Sequence, residues 1–300
     1  MLILENYNID GVNIKIVRDD LYPGIGGGNK CRKAVEYEKD IERKGCNALV
    51  TTGGVQSNHC RAIALLAAKR GWKCHIVYHG TKERFDQEKG NALLVRMSGA
   101  TTEFVNAEQI GPTMDNAMTK FVKEGLKPYY VTGGGHDLPG GIAYVKAMQE
   151  LKAACVQQEW IPDYVFLASG TGSTHGGIIL GNILNGWEKT KIIGISVARN
   201  KERAEHVIRD FILKLTDYYN IVVPNDAVVV ADDYLYGGYE GYTSEMKNAL
   251  LNAARSTGLI FDTTYSGKAL YGMMDIVRRN RLEESNILFW HTGGLLNIQA

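Results

Sequence analysis

Residues 164–184 of the chain are YVFLASGTGSTHGGIILGNIL, and this stretch is the clearest guide to the fold. The apolar run 164–168 is typical of a buried strand. A loop of serine, threonine and glycine follows it, and residues 174–184 then have the pattern of a helix. Backbone N–H groups and hydroxyls in such a loop suit a phosphate, although a simple tight turn explains the same residues.

Short apolar runs and helical patterns alternate along the rest of the chain. A helix is predicted over 57–70, with Ser57 or Asn58 as its N-cap and Gly71 as its stop. The alternation predicts an α/β fold with a mostly parallel sheet and helices on both faces. Further strands are predicted at 48–52, 73–78, 102–105, 129–132, 192–197, 227–230 and 287–290. Further helices are predicted at 30–44, 88–97, 113–124, 141–158, 201–219, 243–256 and 268–280.

Composition narrows the class of protein. The 34 basic residues nearly balance the 33 acidic ones, which argues against a nucleic-acid or membrane-surface partner. No apolar run reaches the roughly 18–20 residues of a membrane span, and the first residues lack the pattern of a signal peptide. The five cysteines show no Cys-x-x-Cys spacing. We therefore expect a cytoplasmic protein with neither a disulfide framework nor a metal site.

A lysine follows a run of glycines in Gly26-Gly27-Gly28-Asn29-Lys30. The glycines let the backbone turn tightly and let a ligand approach the amine. If residues 30–44 are helical, Lys33 lies on the same side as Lys30, and a second cation lowers the pKa of a lysine. Lys30 is then a candidate nucleophile, whereas an ordinary surface lysine is the alternative interpretation.

A second polar loop, residues 52–59, stands between a predicted strand and a predicted helix. The N–H groups at the helix start suit a carboxylate, although Ser57 and Asn58 can equally be simple caps and His59 a packed side chain. Two tyrosines, Tyr239 and Tyr265, lie in glycine-containing loops, where packing is again the alternative role.

The loop at 169–174 lacks the lysine of a nucleotide P-loop, and the glycines at 170 and 172 do not complete a dinucleotide fingerprint. An amine able to form a Schiff base, together with a phosphate-binding loop, instead suggests an enzyme that uses pyridoxal 5′-phosphate (PLP).

Five stretches, in order, resemble those of the fold-type II PLP enzymes, and among them the 1-aminocyclopropane-1-carboxylate (ACC) deaminase/D-cysteine desulfhydrase family. They are GGNKCRK at 27–33, GGVQSNH at 53–59, GTGST at 170–174, YSGK at 265–268 and HTGG at 291–294. The resemblance implies a two-lobed, parallel-sheet architecture like that of the tryptophan synthase β subunit. Residues 1–33 and 159–300 would form a large PLP-binding domain, and residues 34–158 a smaller mobile domain that closes on the substrate.

The resemblance also implies a role for individual residues. Lys30 would hold PLP covalently and move the Cα proton, and Asn58 would hydrogen-bond the 3′-oxygen of the pyridine ring. Tyr265 would lie against the ring, Ser266 would meet its nitrogen, and Tyr239 would face the substrate. The other implied contacts are to the cofactor (Lys33, Thr171, Gly172, Ser173, Thr174 and Thr292) and to the substrate (Gln56, Ser57, Asn58 and His59). Of these residues, the candidate catalytic ones are Lys30, Ser57, Tyr239 and Tyr265.

Two positions distinguish the branches of this family. By this resemblance, ACC deaminases carry Glu and Leu at the two positions, whereas desulfhydrase-like members carry Ser or Thr at the first and Thr at the second. This chain has Ser266 and Thr292 there, like the desulfhydrase-like members. A carboxylate keeps the pyridine nitrogen protonated and suits cyclopropane opening, whereas a hydroxyl leaves it neutral, which suffices when a good β leaving group departs. The expected activity is therefore α,β-elimination on a small amino acid such as D-cysteine, giving pyruvate, ammonia and sulfide.

The chain also departs from the family pattern. His136 and Asp137 stand where many members have Ser-Asn, and Tyr242 stands where many have Pro, so we expect a reshaped substrate pocket. ACC deamination, β-replacement that makes a specialised amino acid, and ligand binding without catalysis remain alternative functions. A homodimer is the assembly that the resemblance implies.

Overall fold

The computed structural model describes residues 2–298, which form two compact units. The first contains residues 2–22, 26–29 and 141–295, and the second contains residues 23–25, 30–140 and 296–298. The strands are β1 (Leu4–Ile9), β2 (Val12–Arg18), β3 (Ala48–Gly54), β4 (Lys73–His79), β5 (Thr101–Val105), β6 (Pro128–Tyr130), β7 (Tyr164–Ser169), β8 (Lys191–Ser196), β9 (Val229–Ala231) and β10 (Ile287–His291). The helices are α1 (Gly28–Arg43), α2 (Asn58–Arg70), α3 (Lys82–Gln87), α4 (Gly90–Ser98), α5 (Ile110–Lys123), α6 (Leu138–Gln157), α7 (Ser173–Leu184), α8 (Lys201–Tyr219), α9 (Ser244–Thr257) and α10 (Ser266–Arg279).

The first unit is built on a six-stranded sheet in the order β1-β2-β10-β7-β8-β9. β1 runs antiparallel to β2, and the other neighbouring strands are parallel. Successive residues of β10 enter opposite cores: Leu288 and Trp290 join one, Ile287 and Phe289 the other. Both faces of the sheet are thus covered, which explains why its central strands are continuous apolar runs rather than alternating ones.

The second unit is built on a four-stranded parallel sheet in the order β5-β4-β3-β6. Its strands also divide their side chains between two cores. In β3, Leu49 joins one core and Ala48 and Val50 join the other. The predicted mixed α/β fold with parallel sheets is therefore confirmed.

Some predicted elements were missing or misplaced. The hairpin of β1 and β2 was not predicted, although Asp10 and Gly11 at its turn both have positive φ, as a two-residue hairpin turn requires. Helix α3 was also missed, and the helix predicted over 88–97 starts at Gly90. Helix α6 was assigned to the smaller domain, but its residues from 141 onward belong to the first unit, where Tyr144 and Met148 are in the core.

Two negative findings apply to residues 2–298. No helix among them is long and apolar enough to cross a membrane. Nor does this part of the chain gather three or more His, Cys, Asp or Glu side chains into a metal-binding arrangement.

Candidate active site

Lys30 and Lys33 lie one helical turn apart near the start of α1. The Nζ of Lys30 donates a hydrogen bond to the carbonyl oxygen of Gly134 at 2.7 Å. Burial lowers the pKa of Lys30 to about 8. The pKa of Lys33 lies well below its ordinary value, first because the side chain is buried and then because Lys30 repels its charge. The sequence analysis explained a lowered pKa of Lys30 by the nearby charge of Lys33. In the structure, burial is the main cause of the lowered pKa of Lys30, and charge repulsion lowers the pKa of Lys33 instead.

Asp137 is a carboxylate whose charge acts on Lys33. It accepts hydrogen bonds from the Tyr37 hydroxyl at 3.0 Å, from the Thr132 N–H at 2.8 Å and from the Thr132 hydroxyl. Its charge raises the pKa of Lys33, although less than burial and Lys30 lower it. Burial and this same charge raise the pKa of Tyr37 well above its ordinary value. The sequence analysis named this position only as a departure from the family pattern, whereas in the structure its charge acts on Lys33.

The polar loop at the start of α2 is held closely by its own side chains. Ser57 is the N-cap, and its Oγ accepts a hydrogen bond from the Cys60 N–H at 3.2 Å. A Cβ on Gly53 would lie 2.7 Å from both Ser57 Oγ and Cys60 Sγ, so only glycine fits there. A serine hydroxyl can donate a proton as well as accept one, and the start of a helix such as α2 suits a carboxylate. Asn58 Nδ2 donates to Asn297 Oδ1 at 2.6 Å.

Gln56 and His59, the other predicted substrate contacts, are engaged with the protein. Gln56 Nε2 donates to Glu88 Oε2 at 2.9 Å, and Gln56 Oε1 accepts from the Asn91 N–H at 3.0 Å. His59 Nε2 lies 2.9 Å from Thr51 Oγ1, which itself donates to a backbone carbonyl, so the ring must be the donor at Nε2. Burial lowers the pKa of His59 well below its ordinary value. Both side chains therefore shape the loop, and a direct role toward substrate stays a prediction.

The predicted phosphate loop lies between β7 and α7, where Gly172 has a φ of +97° and α7 starts at Ser173. Ser173 and Thr174 are buried, and the Thr174 Oγ1 accepts a hydrogen bond from Asn29 Nδ2 at 3.2 Å. The guanidinium of Arg199 donates to the carbonyl oxygen of Gly170 on the other side of the loop. The loop is thus held by contacts from Asn29 and Arg199, and α7 begins with free N–H groups of the kind that can bind an anion.

Asn29 also joins this loop to the strand end that bears Thr292. Its N–H donates to the Thr292 carbonyl oxygen at 2.9 Å. A Cβ on Gly28 would lie 2.8 Å from that same oxygen, which explains why glycine precedes Asn29. Lys30 is the next residue along the chain. The sequence treated Asn29 only as part of the glycine motif, so this connection was missed.

Ser266 starts α10, and its hydroxyl is committed to a buried carboxylate. Ser266 Oγ donates to Asp262 Oδ1 at 2.7 Å. A Cβ on Gly294 would lie 2.2 Å from that same carboxylate oxygen, so the glycine after β10 packs directly against it. Asp262 was not singled out from the sequence. An aspartate four residues before the predicted cofactor contact Ser266, just ahead of a helix, could have been recognised as a candidate helix cap.

Tyr239 and Tyr265 contact each other edge to face, with ring centroids 5.3 Å apart. Tyr239 is 45% exposed, and its loop is fixed by Lys268, a buried lysine of α10. Lys268 Nζ donates to the carbonyl oxygens of Leu235 at 3.0 Å and Gly238 at 2.6 Å. Burial lowers the pKa of Lys268 to about 8. The two tyrosines named from the sequence are thus neighbours, and Lys268, to which the sequence analysis gave no role, holds the loop that carries Tyr239.

These groups fit PLP in their chemistry. The start of α7 supplies N–H groups, hydroxyls and a glycine in the left-handed region for a phosphate. Lys30 supplies an amine with a lowered pKa. The model of the family described as "Pyridoxal-phosphate dependent enzyme" matches residues 4–293. The chain belongs to this family, is a PLP-dependent enzyme with deaminase or lyase activity, and has the fold-type II architecture.

Curated relatives place it more narrowly. The ACC deaminase of Bradyrhizobium sp. (strain ORS 278) is 33% identical over 94% of this chain and 86% of its own length. The putative ACC deaminase of Pyrococcus horikoshii is 34% identical over 95% of this chain and 85% of its own length. The predicted membership of the ACC deaminase/D-cysteine desulfhydrase family is thereby confirmed.

Solved structures agree with this placement. A crystal structure of an ACC deaminase homologue matches with a TM-score of 0.81 and 34% identity, over 95% of this chain and 85% of that one. A fungal L-serine ammonia-lyase from Rhizomucor miehei matches with a TM-score of 0.69 and 16% identity, over 97% of this chain and 93% of that one. At that identity the second likeness shows the fold alone.

Proposed function

We propose that the protein is an ACC deaminase, which opens the cyclopropane ring of its substrate and, with one water, gives 2-oxobutyrate and ammonia. Relatives named ACC deaminase or putative ACC deaminase are 32–34% identical over 94–96% of the chain, which supports ACC as the substrate. The structural observation behind the chemistry is Lys30, a half-buried residue at the start of α1 whose amine has its pKa lowered to about 8. Such an amine can be neutral when it attacks a carbonyl carbon and charged when it returns a proton.

The cofactor would be held by groups that the sequence already singles out. Lys30 would bind it through Nζ, Lys33 and residues 171–174 would bind its phosphate, and Thr292 would be a further contact to the cofactor. Bound PLP would supply an electron sink for bond breaking next to the substrate amine. Asn58 would turn its Nδ2 from Asn297 to the ring oxygen, a change that costs the 2.6 Å hydrogen bond it makes with Asn297.

The substrate would be held at the start of α2 and by the paired tyrosines. Ser57 would donate its hydroxyl proton to the substrate carboxylate, and the first N–H groups of α2 would add to this contact. Tyr265 would lie against the ring, and Tyr239 would face the substrate. Lys30 Nζ would then move a proton to or from substrate carbon, because its lowered pKa suits both directions near neutral pH.

A second candidate function is α,β-elimination on D-cysteine, giving pyruvate, ammonia and sulfide with one water. The observation that favours it is the pair of hydroxyl residues, Ser266 and Thr292, at positions where ACC deaminases carry Glu and Leu. The two reactions differ at Cα, because that carbon of ACC has no hydrogen whereas that of cysteine has one. Lys30 would therefore act on Cα itself only in the second reaction.

A substrate panel separates these functions. The purified holoenzyme is given ACC, D-cysteine, L-cysteine and D-serine, and 2-oxobutyrate, pyruvate, ammonia and sulfide are measured. The proposal expects 2-oxobutyrate from ACC; pyruvate and sulfide from D-cysteine without turnover of ACC would replace it with the second candidate. Lys30→Ala should abolish either activity, whereas Lys214→Ala, a change of an exposed lysine in α8, should leave it intact.

Turnover of none of the substrates, with ligand binding retained, would instead support the alternative of a binding protein on this fold. We also propose the homodimer that the family resemblance implies, and light scattering on the holoenzyme tests it. The cytoplasmic location stays a prediction.

A further inference from the structure

Asp262 is a buried carboxylate that accepts hydrogen bonds from four groups within residues 2–298. It accepts from the N–H groups of Thr264 at 2.9 Å, Tyr265 at 2.8 Å and Ser266 at 2.9 Å. It also accepts from the Ser266 hydroxyl at 2.7 Å. Burial raises the pKa of Asp262, and these four bonds oppose that rise. A carboxylate surrounded by donors is the arrangement that stabilises the ionised form.

The direction of the hydroxyl bond determines what Ser266 can offer to a ligand. A serine hydroxyl has one proton and two lone pairs. The proton of Ser266 is given to Asp262, and one lone pair accepts the Asp262 N–H at 3.2 Å. What remains is a single acceptor site. A ring nitrogen without a proton has nothing to receive from it, whereas a protonated ring nitrogen has a proton to give.

Gly294 packs closely against the Asp262 carboxylate and limits its movement on that side. The backbone of Gly294, at φ +112°, approaches so closely that a Cβ there would lie 2.2 Å from Asp262 Oδ1 and 2.6 Å from its Cγ. The Asp262 side chain is about 1% exposed, so bulk water does not compete for its oxygens. The negative charge is therefore held at a fixed place behind the serine hydroxyl, in surroundings that screen it weakly.

We propose that Asp262 is a positioning residue that acts through Ser266 to keep the ring nitrogen of PLP protonated. The proposal rests on the proposed function, in which Ser266 meets that nitrogen. It replaces the expectation, drawn from residue type, that a hydroxyl at this position leaves the nitrogen neutral. Asp262 with Ser266 then does in two residues what a glutamate does in one, and the stronger electron sink suits the opening of a cyclopropane.

Two substitutions separate this role from a merely structural one. Asp262→Asn places an amide N–H toward Ser266 Oγ, which reverses the hydrogen bond and frees the hydroxyl proton to be donated to the ring. Ser266→Ala removes the hydroxyl and leaves Asp262 capping α10 through the three backbone N–H groups. Each holoenzyme is loaded with PLP that is ¹⁵N-labelled in the ring, and the nitrogen chemical shift is read by solid-state NMR near pH 7.5.

The wild type should show a protonated ring nitrogen, and both variants an unprotonated one. An unprotonated nitrogen in the wild type, or a protonated one in either folded variant, overturns the proposal. If Asp262→Asn does not fold, Ser266→Ala decides the outcome alone, because its helix cap is intact. The melting temperature of each apoprotein shows which variants fold.

Binding of a cofactor analogue with carbon in place of the ring nitrogen gives an independent measurement. Both variants should bind PLP about tenfold or more weakly than the wild type, since a charge-assisted hydrogen bond is lost. They should bind the deaza analogue as the wild type does. Equal weakening for both cofactors would assign Asp262 to structure only and overturn the proposal. Failure of the proposed function is distinct, because it appears as absent ACC turnover in a wild type whose ring nitrogen is still protonated.

Discussion

Attachment of PLP to the apoprotein should be fast at neutral pH and should reach its maximum rate close to pH 8. Only the neutral amine of Lys30 attacks the aldehyde, and burial places its pKa at about 8 rather than 10.5. At pH 7 about one Lys30 amine in ten is then neutral, against roughly one in 3,000 for an ordinary lysine. Attachment at pH 7 should therefore be about 300-fold faster than for an unperturbed lysine.

The assay follows the absorbance of the bound cofactor after apoprotein is mixed with saturating PLP between pH 6 and pH 10. Saturation removes the pH dependence of the encounter itself. The logarithm of the rate should rise with a slope of one and level off near pH 8. Borohydride reduction and mass spectrometry should place the cofactor on Lys30. A rate that keeps rising beyond pH 9.5 would refute the lowered pKa, and cofactor on another lysine would refute the assignment.

Three further substitutions test the surroundings of the site. Lys268→Met should destabilise the protein by about 2–4 kcal/mol in chemical denaturation, since two partly buried carbonyls lose a charged donor. The variant should also lose the component of stability that rises with pH between 8 and 10.5, where the unfolded chain binds the extra proton. Gly294→Ala should lower the free energy of unfolding by at least about 2 kcal/mol and weaken PLP binding, because the new Cβ would collide with the Asp262 carboxylate and φ is positive there. A melting temperature equal to that of the wild type would contradict the packing described. Asp137→Asn should cost about 1–3 kcal/mol, whereas Asp115→Asn, a change of an exposed carboxylate in α5, should be neutral; equal effects would show that the bonds to Tyr37 and Thr132 contribute little.

The alternation of strands and helices could be predicted from the sequence because the central strands are buried on both faces. A strand such as β7 then shows as an unbroken apolar run, and the helix after it shows a cap and a stop. β1 is harder to find, because it is an edge strand with polar residues such as Glu5, Asn6 and Asn8 among its apolar ones. Only the Asp10-Gly11 turn marks it in the sequence.

The candidate site shows the same limit. Lys30 and Thr174 could be predicted as site residues because each lies next to a glycine motif of a kind that is typical of ligand-binding loops. Lys268 was missed because its partner Gly238 is 30 residues away in the chain. Asp262 has local partners, Thr264, Tyr265 and Ser266, but only the fold shows that its carboxylate is buried and packed against Gly294. The predicted cause of the low pKa of Lys30 was wrong. Burial, the main cause, depends on how the chain folds, and the spacing of residues along a helix does not reveal it.

The glycines of helix α7 let it pack closely against two other helices, α6 and α8. A Cβ on Gly181 would lie 2.5 Å from Met148 of α6, and a Cβ on Gly176 would lie 3.0 Å from Phe211 of α8. The helix can therefore neither slide nor rotate without a collision on one flank. The first turn of α7 is therefore held in place as well, so side chains of the predicted phosphate loop could be substituted while the backbone N–H groups at the helix start keep their positions.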